Sequence, residues 1–483
     1  MPSAPTLDPF VAGTRRRSDS SATLPSLNPS DPADVVALVP EGAAADVDAA
    51  VAAAAEAFRG WRILPGPARA EHLYRWAEAV GARAEELAQA MAREVGKPIT
   101  EARGEAARGV AILRYYAGEA VREAGSVIPS QLPETLQLTL REPLGVVGLV
   151  TPWNFPVAIP LWKAAPALAF GNTVVLKAAE ASSFVASLLA ETAAAAALPP
   201  GVFNVVFGLG PVTGEALVSH PHVRGVSFTG SAKVGARVAE ICARRNARYQ
   251  TEMGGKNAAL VLPDADLPRA GAMTIAGAMR FAGQKCTATS RVIVVRKIFE
   301  EFVGLLASQA AALPIGPVTD PAAAVGPLVS ETSRSRVMRL LSESPCRVHS
   351  GGGAPKDPRF AAGWFLSPTV LSEVAAGSPL RTEELFAPVL VAIPVDDLEE
   401  ALAVANDTPF GLSASLFTRD VKSALTYVRR IEAGLVRING DTTGVDPHAP
   451  FGGVKGSSSG SREQGPAARE FYTEIKTVQI SGS

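Results

Sequence analysis

Cys286 lies in Phe281-Ala282-Gly283-Gln284-Lys285-Cys286-Thr287. Gly283 lets the backbone approach closely, a helix is expected to end nearby, and Lys285 adds positive charge. These conditions favour a thiolate, the form in which cysteine is a nucleophile. Taken alone, a lone cysteine is more often buried filler. Glu252, in Thr251-Glu252-Met253-Gly254-Gly255-Lys256-Asn257, ends a predicted strand before a Gly-Gly turn. Strand ends are where α/β folds place their sites, yet an isolated Glu is usually a solvated charge. Thr151-Pro152-Trp153-Asn154-Phe155-Pro156 also follows a strand, and its prolines stiffen a turn that presents an amide able to donate to an oxyanion. Locally the same Asn reads as a cap on the next helix. Phe228-Thr229-Gly230-Ser231-Ala232-Lys233-Val234-Gly235 reads as a strand, a small-residue turn and a helix whose first amides can meet a pyrophosphate. Neither a P-loop nor G-x-G-x-x-G occurs, and Gly208-Leu209-Gly210-Pro211 has the wrong continuation.

The elements that carry these residues follow from periodicity. Val51, Ala54, Ala55 and Phe58, then Leu73, Trp76, Val80, Leu87 and Met91, recur at helical spacing. Beyond residue 140, short β-branched runs alternate with Ala-rich stretches of helical length, which predicts a parallel sheet with crossover helices. A second α/β block has strands expected at Val292–Val295 and Val389–Ile393 and helices at Phe299–Ala312 and Leu398–Asn406. The tail, Phe471 to Ile480, reads as an extended strand in need of a sheet, which a partner subunit could supply. The first 33 or so residues, rich in Pro, Ser and Asp, read as an irregular arm.

Composition bounds the function. The 483 residues leave room for two or three domains, and 47% hydrophobic against 19% charged residues exclude a mostly disordered chain. Forty-six basic and forty-seven acidic residues give a net charge of −1, with no global field to attract nucleic acid or an anionic membrane. Three cysteines at unrelated spacings form neither a disulfide framework nor a zinc pattern, so no metal site is expected and a reducing, cytoplasmic setting fits. No apolar run approaches the ~18 residues of a membrane span.

Together and in this order, the four blocks resemble the signature segments of the NAD(P)-dependent aldehyde dehydrogenase superfamily, over about residues 25 to 480. The resemblance implies a Rossmann-like cofactor domain (1–124 and 144–251), a second α/β catalytic domain (252–450), and a small β element for oligomerisation (125–143 and 466–483), hence a homodimer or homotetramer. It implies Cys286 as nucleophile, Glu252 as general base and Asn154 as oxyanion donor. For NAD, with NADP as the alternative, it implies contacts from Thr151, Trp153, Lys177, Glu180, Gly210, Phe228, Gly230, Ser231, Glu384 and Phe386. A carboxylate at Glu180 can accept from the adenosine ribose 2′-OH and repel a 2′-phosphate, which leans toward NAD. Superfamily members that acylate coenzyme A typically lack the Glu252 equivalent, so its presence implies a free acid as product.

Lys285-Cys286-Thr287-Ala288-Thr289-Ser290-Arg291 and Pro447-His448-Ala449-Pro450-Phe451-Gly452-Gly453 look most like α-ketoglutaric semialdehyde (2,5-dioxopentanoate) dehydrogenases. That implies a carboxylate-bearing substrate, for which Arg280, expected on the helix leading to Cys286, is the candidate clamp. A second arginine that some semialdehyde dehydrogenases carry is replaced here by Trp162. Phe155 and Phe451 are the remaining candidates for the wall of the aldehyde tunnel. Neutral aliphatic or aromatic aldehydes, or a catalytically silent NAD-binding relative, are the alternatives.

Overall fold

Five parallel strands, Val146–Val150, Thr173–Lys177, Phe203–Val206, Val223–Thr229 and Arg248–Glu252, form the centre of an eight-stranded sheet in this computed structural model, which describes residues 4–482. The chain starts at Val146–Val150 in the middle, adds Thr173–Lys177 and Phe203–Val206 on one side, then returns to add Val223–Thr229 and Arg248–Glu252 on the other. The order therefore reverses between Val146–Val150 and Val223–Thr229, and crevices open at such switch points beyond the carboxyl ends of the strands. Register aligns those ends: Val150 pairs with Phe228 and Lys177, and Thr229 with Glu252. The strands read as continuous apolar runs because helices cover both faces.

A seven-stranded sheet, parallel except at one edge, runs from Arg347–Ser350 through Thr369–Ser372, Val389–Val395, Arg291–Val295, Ala258–Val261 and Ser413–Phe417 to Leu435–Ile438. The expected helix at Leu398–Asn406 is found at those bounds, and its neighbour runs Phe299–Ala311. The segment from Leu73 to Met91 is two helices, Gly66–Ala82 and Ala84–Val95, broken at Arg83 (φ −111°, ψ 18°).

Met1–Ser3 lie outside the described residues, and the remainder of the first 33 is not the irregular arm expected, because it contributes strands to two sheets. Phe10–Val11 pairs onto the edge strand Phe203–Val206, and Thr23–Asn28 forms a hairpin with Asp31–Pro40. The apolar side chains among the prolines and serines decide this, since Leu7, Phe10, Val11, Val36 and Val39 are all buried. The tail strand Thr473–Ser481 finds its sheet within the chain, pairing antiparallel with Thr135–Pro143, which also pairs with Val127–Ile128. Among the described residues no helix is long and apolar enough to cross a membrane.

Candidate active site

Cys286 reaches the site through a tight non-helical turn. The Leu267–Met279 helix ends seven residues before it, and Phe281 (φ 53°), Ala282 (φ 52°) and Gly283 (φ 66°) then take left-handed conformations. A side chain at Gly283 would come within 2.4 Å of the Ala387 carbonyl, so the close approach read from the sequence is real. Cys286 lines a cavity of about 310 Å³ together with Phe155, Trp162 and Phe451, and the Trp162 and Phe451 rings pack 5.5 Å apart.

Asn154 caps no helix. Its Nδ2 donates to the Gln284 carbonyl (3.0 Å), two residues before Cys286, and its own carbonyl accepts from Lys97 Nζ (2.6 Å). Buried Lys97 also pairs with Glu105 and lies over the Phe155 and Phe281 rings at 4.0 and 4.5 Å. Glu105 Oε1 in turn accepts from the Val157 and Ala158 amides (2.9 and 3.0 Å), satisfying the first turn of the Ala158–Ala169 helix.

Glu252 ends its strand as expected and is buried; Oε2 accepts from Ser458 Oγ (2.7 Å), while Oε1 has no partner. Burial, reinforced by the nearby Glu463 carboxylate, holds its carboxyl well above the usual range. The Gly254-Gly255 turn that follows packs on the cysteine: a side chain at Gly255 would lie 3.1 Å from the Cys286 carbonyl, which Asn257 Nδ2 also holds at 2.8 Å. Glu384 Oε1 accepts from the Gly255 amide (3.0 Å), and a side chain at Gly254 would overlap the Glu384 carboxylate. The structure thus gathers Cys286, Glu252, Asn154 and Glu384 around one crevice, with no hydrogen bond joining the sulfur to Glu252 or Asn154.

The charge expected to favour a thiolate is cancelled. Lys285 Nζ pairs with Glu101 Oε2 at 2.7 Å, and burial with the Glu384 and Glu252 carboxylates pushes the Cys286 thiol up to about 12. Arg280 sits one residue past the helix end, exposed, and is not part of the cavity wall. The helix breaks at Met279, so it cannot aim Arg280 inward. The cations in the wall are Lys285, paired with Glu101, and Arg108, from the Ile99–Glu119 helix.

The residues proposed for a dinucleotide fit one. Glu180 Oε1 is held by Lys177 Nζ (3.0 Å) and the Gly210 amide (2.8 Å), leaving Oε2 free to accept. Ser231 caps the 13-residue Ala232–Arg244 helix, whose exposed N-terminus is a ready anion site. Thr151 Oγ1 and Thr229 Oγ1, at the ends of adjacent strands, are buried without partners. Gly230 follows Thr229, and a side chain there would strike the Phe228 ring at 2.6 Å. Trp153 meets Phe386 edge-on at 5.7 Å.

Sequence reasoning missed Lys97, Glu105, Arg108 and Glu463. Glu105 and Arg108 share a helix face with Glu101 at i, i+4, i+7 spacing, a signal that was present. Glu463 has none nearby: its carboxylate accepts from Trp162 Nε1 (2.8 Å) and Ser227 Oγ (2.9 Å) and pairs with Lys163, partners some 240 to 300 positions away.

The sequence model described as "Aldehyde dehydrogenase family" matches residues 16–478. The chain is 45% identical to alpha-ketoglutaric semialdehyde dehydrogenase of Bacillus subtilis (strain 168), over 98% of this chain and 97% of that one. It is 41% identical to alpha-ketoglutarate semialdehyde dehydrogenase of Haloferax volcanii, over 98% of each. Among solved structures, betaine aldehyde dehydrogenase from Staphylococcus aureus in complex with NAD+ superposes with a TM-score of 0.95 at 28% identity, covering 98% of this chain and 95% of that one. A cavity lined by Cys286, a doubly wound sheet whose strand ends carry the candidate dinucleotide residues, and similarity over nearly the whole length lead to one conclusion: this chain belongs to the aldehyde dehydrogenase family.

Proposed function

We propose that the protein oxidises a carboxylate-bearing semialdehyde, α-ketoglutaric semialdehyde being the first choice, to the free acid with NAD(P). The observation that carries this reading is Cys286 in the wall of a cavity open to solvent, with Glu252, Asn154 and Glu384 gathered around its backbone. The substrate class follows the two relatives above. Cys286 Sγ, after its proton is lost to solvent, bonds as the thiolate to the aldehyde carbon, and the oxyanion that forms accepts hydrogen bonds from Asn154 Nδ2 and the Cys286 amide. NAD(P), when bound, supplies the hydride acceptor that leaves a thioester on Cys286. Glu252 then takes a proton from water as the water oxygen bonds to the acyl carbon, and the C–S bond breaks to release the acid and return the Cys286 thiolate. Thr151, Trp153, Lys177, Glu180, Gly210, Phe228, Gly230, Ser231, Glu384 and Phe386 would hold the dinucleotide, and the free Oε2 of Glu180 favours NAD over NADP.

The two large sheets support the cofactor and catalytic domains at the boundaries given above. The small sheet exposes Val127, Leu136, Leu140 and Ile480 on one face, an apolar surface suited to a second copy of the chain. The three cysteines are free, as the cytoplasm would keep them. A coupled assay tests the function: NADH or NADPH appears on aldehyde addition, coenzyme A is not required, and Cys286→Ser abolishes the signal. Undiminished turnover in Cys286→Ser would refute the assignment.

A further inference from the structure

Arg108 is the one cation in the wall of the reactive cavity that makes no ion pair among the described residues, although the Asp446 and Glu105 carboxylates lie near enough to favour its charge. Of the other charged groups there, Lys285 pairs with Glu101 at 2.7 Å, and Glu105 is engaged by Lys97 from behind the wall. Arg108 Nη2 is anchored to the Val445 carbonyl and to Gln464 Oε1 (3.2 Å). Its Nη1 and Nε meet no acceptor among the described residues, and Nε is fully buried. Leaving guanidinium donors unmet in a half-buried place is costly unless a ligand meets them.

Its position suits the far end of a short acid. Arg108 lies two helical turns, about 10 Å, along the Ile99–Glu119 helix from Glu101, whose partner Lys285 adjoins Cys286. It also borders a second void of about 580 Å³, lined by Arg437 and Asp446 and not by Cys286. Arg108 therefore stands between the reactive chamber and an outer vestibule. Asp446 faces that vestibule but makes no ion pair with Arg108.

We infer that Arg108, and not Arg280, receives the carboxylate of the semialdehyde while the aldehyde end lies at Cys286. This rests on the substrate reading above and assigns the residue that enforces it. A planar fork with its Nη1 edge free matches a carboxylate, and partial burial shields the pair from screening. Trp162 and Phe451 then enclose the carbon chain and add no charge.

The test compares kcat/KM for 2,5-dioxopentanoate and pentanal in the intact enzyme and in Arg108→Met, Arg108→Lys and Arg280→Met. The acid-to-neutral ratio is expected to fall about 100-fold in Arg108→Met, mostly through KM for the acid, and about 10-fold in Arg108→Lys, which keeps the charge and loses the fork. In Arg280→Met it is expected to shift less than about threefold. Arg108→Lys retains a cation at the site and serves should the methionine variant not fold. An unchanged ratio in the Arg108 variants, equal losses on both aldehydes, or collapse of the ratio in Arg280→Met would overturn the inference while leaving the substrate reading intact. No preference for the acid in the unaltered enzyme would overturn both.

Discussion

Cys286 and Glu252 face the same physical problem, since each must carry a negative charge in a crevice whose burial opposes it. For Cys286, burial and two carboxylates push the thiol up to about 12. Alkylation of Cys286 by iodoacetamide without cofactor is therefore expected to be slow at neutral pH and to climb through pH ~9 without levelling; a plateau near pH 7 in peptide-mapped labelling would contradict this. For Glu252 the active form is the carboxylate and its pKa is raised, so base activity is present above that raised pKa and lost as pH falls through it. Turnover limited by hydrolysis should climb as pH rises through that raised value. Glu252→Gln should lose about 10²–10⁴-fold in kcat and flatten the profile, which steady-state kinetics checks. These residue identities were legible as blocks of sequence. Their charge environment was not: Lys285 reads as an activator of its neighbour until Glu101, 184 positions away, is found paired with it.

Helices and turns set the geometry, and here spacing carried much of the information. The Leu398–Asn406 helix was readable because its apolar side repeats at helical period. The N-terminal arm was misread because Pro, Ser and Asp mask the apolar side chains that dock it, and the broken helix at Arg83 was hidden by continuous periodicity. Lys97 was invisible, since its partner, the Asn154 carbonyl, lies more than fifty positions on, and the helical spacing that marks Glu105 could not show its hold on the Val157 and Ala158 amides, equally far along the chain. Lys97→Met would strand a buried carboxylate and free the Asn154 turn. The expected loss is about 3–5 kcal/mol in denaturant unfolding, and a loss under about 1 kcal/mol would show that the pair does not hold the turn. Gly254→Ala drives a side chain into the Glu384 carboxylate, which can swing away. The fold should survive while KM for the dinucleotide rises several-fold; an unchanged KM would remove Glu384 from the cofactor site.

At the scale of the whole molecule, the length and the high apolar, low charged composition foretold large cores, and two extensive buried clusters, one against each large sheet, bear that out. The apolar face of the small sheet was not foreseeable, because exposure is set by tertiary packing. Leu136→Glu with Ile480→Glu, a pair directly opposite each other on that face, should lower the sedimenting mass toward a single chain if the face joins copies, and an unchanged mass would place the contact elsewhere. Turnover, too, belongs to the whole molecule, since it needs sulfur, base, amide and dinucleotide delivered by two sheets to one carbon atom. The most direct test is a single-turnover experiment on Glu252→Gln with 2,5-dioxopentanoate and NAD(P), followed by mass analysis of the peptide containing Cys286. Capture without hydrolysis predicts a burst of about one reduced cofactor per chain and an acyl group retained on Cys286. Full steady-state turnover, or no burst with an unmodified Cys286 in a folded protein that binds the cofactor, would contradict the account.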